Sequence, residues 1–193
     1  MSLSNLFQRA LGRSERKPEF RIPSVPEDPE QHPERLAVLP YCSAGKGIDV
    51  GCGHRKSSPQ CIGVDLIAGG EKGEHGVVMN QVSVADVQAS GDDLHMFADG
   101  ELDFVVARHN LEHYVDVLKT LHEWKRVLKP GGKLAVVLPD DRHVDTIALD
   151  PTHKHVFTPD SFRRYMEGVG GFRELEVRDA VEHWSFLAAF EKL

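Results

Sequence analysis

The densest group of residues able to do chemistry follows a short apolar run. Ile48-Asp49-Val50 leads straight into Gly51-Cys52-Gly53. Glycines at such a point let the backbone turn sharply and come close to a ligand. In open α/β sheets nucleotides bind at turns of this kind, beyond the carboxyl ends of strands. A second run, Gly63-Val64-Asp65-Leu66, ends on an acid whose carboxylate can accept both hydroxyls of a ribose. Either feature alone is also what a tight turn or a solvated strand end looks like. Together they describe a crevice for a ribose-bearing cofactor.

A nicotinamide enzyme makes the same ribose contact. Its fingerprint places a third glycine three residues after the second, where pyrophosphate meets a helix start. Lys56 stands there, and the stretch from Gly51 to Asp65 leaves little room for a full helix. A ligand without pyrophosphate fits better, so a nucleotide-dependent oxidoreductase is the weaker alternative.

Histidines form the other group. His109, His113, His143, His153 and His155 all follow apolar runs that read as strands, so they should gather at the carboxyl edge. Three readings stand side by side. One is a general base, with His109, His113 and His143 as candidates for the catalytic residue. A second is a divalent ion held with Asp140 and Asp141. The third is structural: Asn110 caps a helix, His113 packs in its first turn, and His153 with His155 braces a loop. The spacing contains no tight ligand motif, so no metal site is expected.

The elements that must position these groups alternate as in a βα protein. Ile48–Val50, Cys61–Leu66, a weaker Val82–Val84, Leu102–Ala107 and Lys133–Leu138 read as five parallel strands. Tyr114–Leu128 carries Val117, Leu118, Leu121, Trp124 and Leu128 at helical spacing, and Lys129-Pro130-Gly131-Gly132 stops it. Thr158-Pro159-Asp160 is a helix start, and that helix should end at Gly168. Phe172–Val181 and Trp184–Lys192 then form a closing hairpin, which puts one antiparallel strand in the sheet.

Upstream the character differs. Ser2–Arg13 has one apolar helical face, Leu3, Leu6, Phe7, Ala10 and Leu11, with arginines on or after it. It reads as a short helix against its own domain, or as a weak membrane-surface or protein contact. Pro18, Pro23, Pro26, Pro29 and Pro33 are interspersed with acids, which reads as a solvated arm. The expected division is an arm over 1–40 and a single domain over 41–193. The chain of 193 residues has a net charge of -7, which argues against general nucleic-acid binding. Its three cysteines, Cys42, Cys52 and Cys61, lack metal-ligand spacing. No secretory segment or bilayer-length apolar run is seen, and a cytoplasmic location is expected.

The most diagnostic stretch lies between the fourth and fifth strands. Asp103-Phe104-Val105-Val106, His109-Asn110-Leu111-Glu112-His113 and Trp124 through Leu134, with its Lys129-Pro130-Gly131-Gly132 turn, resemble the class I S-adenosylmethionine-dependent methyltransferases of the small-molecule type, with a shortened loop after the glycine motif. The resemblance runs from about Gly45 to the C-terminus. It implies a Rossmann-like three-layer α/β sandwich with a seven-stranded, mostly parallel sheet whose last strand is antiparallel. It also implies S-adenosylmethionine as cofactor and a small-molecule or glycan-like acceptor. On the resemblance Gly51, Cys52 and Gly53 pass the methionine portion, and Asp49 orients its amino group. Asp65 and Leu66 meet the ribose, Asp86 with the backbone at Val87 the adenine amino group, and Arg108 and His109 the sulfonium side. The family's usual third glycine is Arg55 here, so Arg55 or Lys56 could meet a carboxylate or be solvated. A cofactor-binding module without catalysis is the other alternative.

Overall fold

A computed structural model describes Ser24, Pro26, residues 28–73 and residues 80–193. The expected helix over Ser2–Arg13 lies outside the described residues. Seven strands form one sheet: β1 Gly47–Val50, β2 Ile62–Asp65, β3 Val87–Gln88, β4 Leu102–Arg108, β5 Leu128–Pro139, β6 Phe172–Val181 and β7 Ser185–Lys192. Their order is β3-β2-β1-β4-β5-β7-β6. β1 to β5 pair in parallel, and β7 runs antiparallel to both β5 and β6. The carboxyl ends of β1, β2, β3 and β4 therefore share one edge, where β7 begins: Ser185 pairs with Pro139 at the end of β5.

Four α-helices are described: α1 Pro33–Val38, α2 Val117–Val127, α3 Thr146–Leu149 and α4 Pro159–Val169. Alternation along the strands gives each face its own core. On one face Ile48, Val50, Val105 and Val136 pack with Leu121 and Trp124 of α2 and Phe162 of α4. On the other, Phe104, Val106, Ala135, Val137 and Leu187 pack with Ala37 and Val38 of α1. The central strands are apolar on both sides because both faces are covered. Among the described residues no helix is long and apolar enough to cross a membrane.

Several boundaries differ from expectation. The third strand is Val87–Gln88, paired with Val64 and Asp65, while Val82 makes only an isolated bridge with Lys72. A two-residue strand carries no alternation to detect. The helix before β5 begins at Val117, where Asp116 accepts the Lys119 amide at 2.9 Å, rather than at Tyr114. Lys129–Gly132 does end that helix, but inside the start of β5, where Gly131 takes a φ of 79°. Helix α4 runs past Gly168 to Val169, because the left-handed turn falls at Gly170, with a φ of 62°. Its start is as expected: Thr158 and Ser161 make a reciprocal capping box with Pro159 in the first turn.

Candidate active site

A cleft of about 300 Å³ opens at the carboxyl edge. One wall is the turn after β1, with Asp65 and Leu66 after β2. The other is the Ala89–Asp92 loop after β3, facing Asn110, His113 and Tyr114 after β4. Gly51 has a φ of 68°, and its amide donates to the Val64 carbonyl at 2.8 Å. A methyl group on Gly51 would come within 2.2 Å of Asn110 Nδ2, so the turn and the Asn110 wall fit only with glycine there. Gly53, with a φ of 54°, donates its amide to Asp65 Oδ2 at 2.8 Å, and Ile67 donates to Oδ1 at 2.9 Å. Asp65 is thus held at the mouth by two backbone donors, and it meets no cation among the described residues. Across the cleft, Tyr114 donates its hydroxyl to Asn110 Oδ1 at 2.9 Å. Burial holds the Tyr114 phenol above its ordinary range. The Gly91 carbonyl is anchored by Trp124 Nε1 at 2.8 Å, which ties the β3 loop to α2.

The remaining expected cofactor residues support the cleft from outside or lie away from it. Asp49 is buried within β1 and accepts the Ser57 amide at 2.5 Å, so it folds the loop after the glycine turn. Burial pushes its carboxyl up, against the opposing charge of Arg108. Cys52 is buried, and burial raises its thiol to about 12. Asp86, expected at the adenine, is not among the residues that line the cleft. Asp86 precedes β3, and its carboxylate accepts from Lys56 Nζ at 2.8 Å and from the Gly63 amide at 2.7 Å. The Lys56 bond, ahead of a small burial cost, holds Asp86 below the usual carboxylate range. Its place in the cleft is taken by Ser90, Gly91 and Asp92, one turn further along. Val87 faces the core rather than the cleft. Arg108 points to the α1 side and donates to the Arg55 carbonyl at 2.9 Å.

His109 is not free to act as a base. It ends β4 with a φ of 48°, a left-handed conformation uncommon for a residue with a side chain, held by its amide to Val137 O at 2.9 Å. Its Nε2 lies 2.8 Å from Glu34 Oε1, and its Nδ1 lies 3.6 Å from Glu112 Oε1. Burial alone would favour neutral imidazole, but the charges of Glu34 and Glu112 outweigh it and raise the pKa to about 10. Glu34 is correspondingly held low: burial would raise it, and His109, Ser185 and His32 more than reverse that. His143 also misses the cleft; it sits 4.0 Å from Asp140 and stacks edge-on against His183. Only His113 of the three candidates lines the cleft. The helix-cap role read for Asn110 is absent, since its side chain makes no cap bond and instead meets Tyr114.

Glu34, Tyr114, Ser90 and Asp92 carry roles that sequence reasoning did not assign. Glu34 sits among prolines and acids that read as solvated, and no local pattern marks it as buried. The Gly91-Asp92 pair beside Ser90 could have been read as a turn after a strand.

Residues 48–136 match a family model described as a methyltransferase domain. Among solved structures, a methyltransferase from Thermotoga maritima that depends on S-adenosylmethionine superposes with a TM-score of 0.61 at 19% identity, over 83% of this chain and 87% of that one. The YcgJ protein of Bacillus subtilis does so with a TM-score of 0.61 at 17% identity, over 83% and 97%. Geranyl diphosphate C-methyltransferase from Streptomyces coelicolor, solved with S-adenosyl-L-homocysteine, gives 0.62 at 13% identity, over 83% and 75%. At these identities the likeness establishes the fold. The uncharacterized protein YafE of Escherichia coli is 46% identical over 41 residues; the match spans 21% of this chain and one fifth (20%) of that relative.

Proposed function

Because this chain carries a class I S-adenosylmethionine-dependent methyltransferase domain, we propose that it moves the cofactor's methyl group to an oxygen, nitrogen or carbon of a small-molecule or glycan-like acceptor. In this reading residues 41–193 are the catalytic domain, and the arm before them ends in α1, which covers the second face of the sheet.

The observation that carries the site assignment is the placement of Asp65. Each of its oxygens takes one backbone N–H, and a carboxylate oxygen has a second lone pair. A ribose diol lying along the Gly51 turn can use both. Gly51 lines the cleft with its backbone, packed against Asn110, and the Asp65 carboxylate at the mouth suits a cationic ligand. The residues present therefore fit S-adenosylmethionine, which supplies an already activated methyl group on a sulfonium when bound.

The chain's own contribution is then mainly orientation. Asn110 and Tyr114, bonded to each other, make the wall that sets the depth of the cleft. The acceptor enters over the loops of His109–Tyr114 and Pro139–Phe157. His109, held as a cation between two carboxylates, fixes the end of β4 rather than accepting a proton. Alignment of a nucleophile behind the methyl group supplies much of the rate in such a reaction. The test is to screen hydroxyl, amine and carbon-acid acceptors for release of S-adenosylhomocysteine. Release that requires an acceptor and drops at least tenfold in Asp65→Ala is expected; release that is indifferent to Asp65→Ala contradicts the site.

A further inference from the structure

On the acceptor side of the cleft two adjacent residues after β4 meet a third from the loop after β5. Glu112, His113 and His153 each offer one ligand atom, and all three atoms lie within 4.8 Å of one another. We propose that they form a binding site for a first-row divalent transition-metal ion beside the cofactor cleft.

Glu112 supplies the independent argument. It is fully buried, and neither of its carboxylate oxygens has a hydrogen-bond partner. The nearest cationic or polar ring atoms are His109 Nδ1 at 3.6 Å and His153 Nε2 at 3.9 Å, both beyond hydrogen-bonding reach. A buried carboxylate without hydrogen bonds is strongly unfavourable unless cations compensate it. His109 is the shared counter-charge of two buried acids, and it is committed to Glu34 at 2.8 Å. Glu34 is further satisfied by the Ser185 hydroxyl at 2.6 Å. Two buried acids thus share one His109 cation, and the Glu112 carboxylate also lies toward His153 and His113.

His113 is braced at its ring as metal ligands are, and His153 is held through the backbone of its loop. The Glu112 carbonyl accepts the amides of Lys154 at 2.7 Å and His155 at 3.2 Å, which pins the His153 loop over Glu112. Thr152 Oγ1 lies 3.1 Å from His113 Nδ1 and donates to Asp150 Oδ1 at 2.6 Å. A hydrogen bond at one ring nitrogen is the usual companion of ligation at the other. The two rings stand edge to face, 4.7 Å between centroids. Nitrogen and carboxylate ligands bind such ions at about 2.0–2.2 Å, so the group closes by roughly an ångström on loading. Two histidines and one carboxylate leave open positions, a donor set that suits Fe²⁺, Zn²⁺ or Co²⁺. The sequence shows no ligand motif here because the loop after β5 brings His153 back over the β4 turn.

Resting on the methyl-transfer reading, the ion gives the acceptor a class: a hydroxyl-bearing molecule whose oxygen coordinates it. That hydroxyl loses its proton to water. The oxygen's electron pair forms the new bond to the methyl carbon, and the carbon–sulfur pair leaves with sulfur.

The protein is stripped with a chelator and titrated with Co²⁺ by visible absorption and with Zn²⁺ by calorimetry. One ion per chain is expected, with affinity lowered at least tenfold in His153→Ala and in the isosteric Glu112→Gln, and unchanged in His95→Ala. Far-UV circular dichroism reports folding of each variant, and S-adenosylhomocysteine affinity of the stripped protein reports the cofactor cleft separately. Absence of one-to-one binding to the wild type, or equal affinity in Glu112→Gln, overturns the metal site whatever the cofactor result.

Discussion

Glu34 and His109 show how much a single pair can decide. Glu34 comes from the proline-rich arm and His109 from the end of β4, and their 2.8 Å contact fixes the strand end beside the cleft. His109 has a folded-state pKa raised from 6.5 to about 10. Its contribution to stability is therefore complete below pH 6.5 and is lost as pH rises towards 10. Glu34 is lowered from 4.5, so its contribution is complete above 4.5 and is lost as pH falls below that value. Together they predict greatest stability from this pair between pH 4.5 and 6.5. Between pH 6.5 and 9 the stability of the wild type should fall with a slope on the order of 1 kcal/mol per pH unit from this group. Thermal melts of Glu34→Gln across that window should show a lower melting temperature at pH 6.5 and a shallower decline. Parallel curves for the two proteins would mean that the pair does not titrate as described. None of this was legible in the sequence, because an acid among prolines looks solvated until α1 is seen packed on the sheet.

At the level of elements, sequence and structure agree where a local signal was strong. Thr158-Pro159-Asp160 names a helix start by three separate mechanisms, and the structure has the cap, the proline and the acid in place. Thr158→Ala removes the side-chain half of the capping box, the bond from the Ser161 amide to Thr158 Oγ1, and should cost about 1 kcal/mol by chemical denaturation. It should leave cofactor affinity unchanged, since no residue of α4 lines the cleft; a loss of affinity would mean that α4 shapes the site. β1, β2, β4 and β5 were legible as apolar runs ended by glycine or a charged residue. β3 was not, because a two-residue strand is defined by its neighbours. That error carried over to Asp86. In sequence Asp86 stands at the start of a Val-Gln pair, yet Lys56 and the Gly63 amide claim its carboxylate. The turn one step further, Ser90–Asp92, holds the wall instead.

For the whole molecule, the parallel order and the reversed last strand follow from connections visible in the chain. A long helical stretch between β4 and β5 allows a parallel crossover, and the short turn between β6 and β7 forces antiparallel pairing. What pattern alone could not supply is convergence. Glu112 with His153, Asn110 with Gly51, and Glu34 with Ser185 are meetings of distant segments, and the site is made of such meetings. The central claim is that the carboxyl edge of β1 and β2 holds S-adenosylmethionine through the Gly51 turn and Asp65. Calorimetry of the purified chain with S-adenosylhomocysteine, S-adenosylmethionine and NAD tests it most directly. One-to-one binding of the first two, none of NAD, and at least a tenfold loss in Asp65→Ala are predicted. Folded protein that binds neither of the first two, or binds them as tightly with Asp65→Ala, would contradict it.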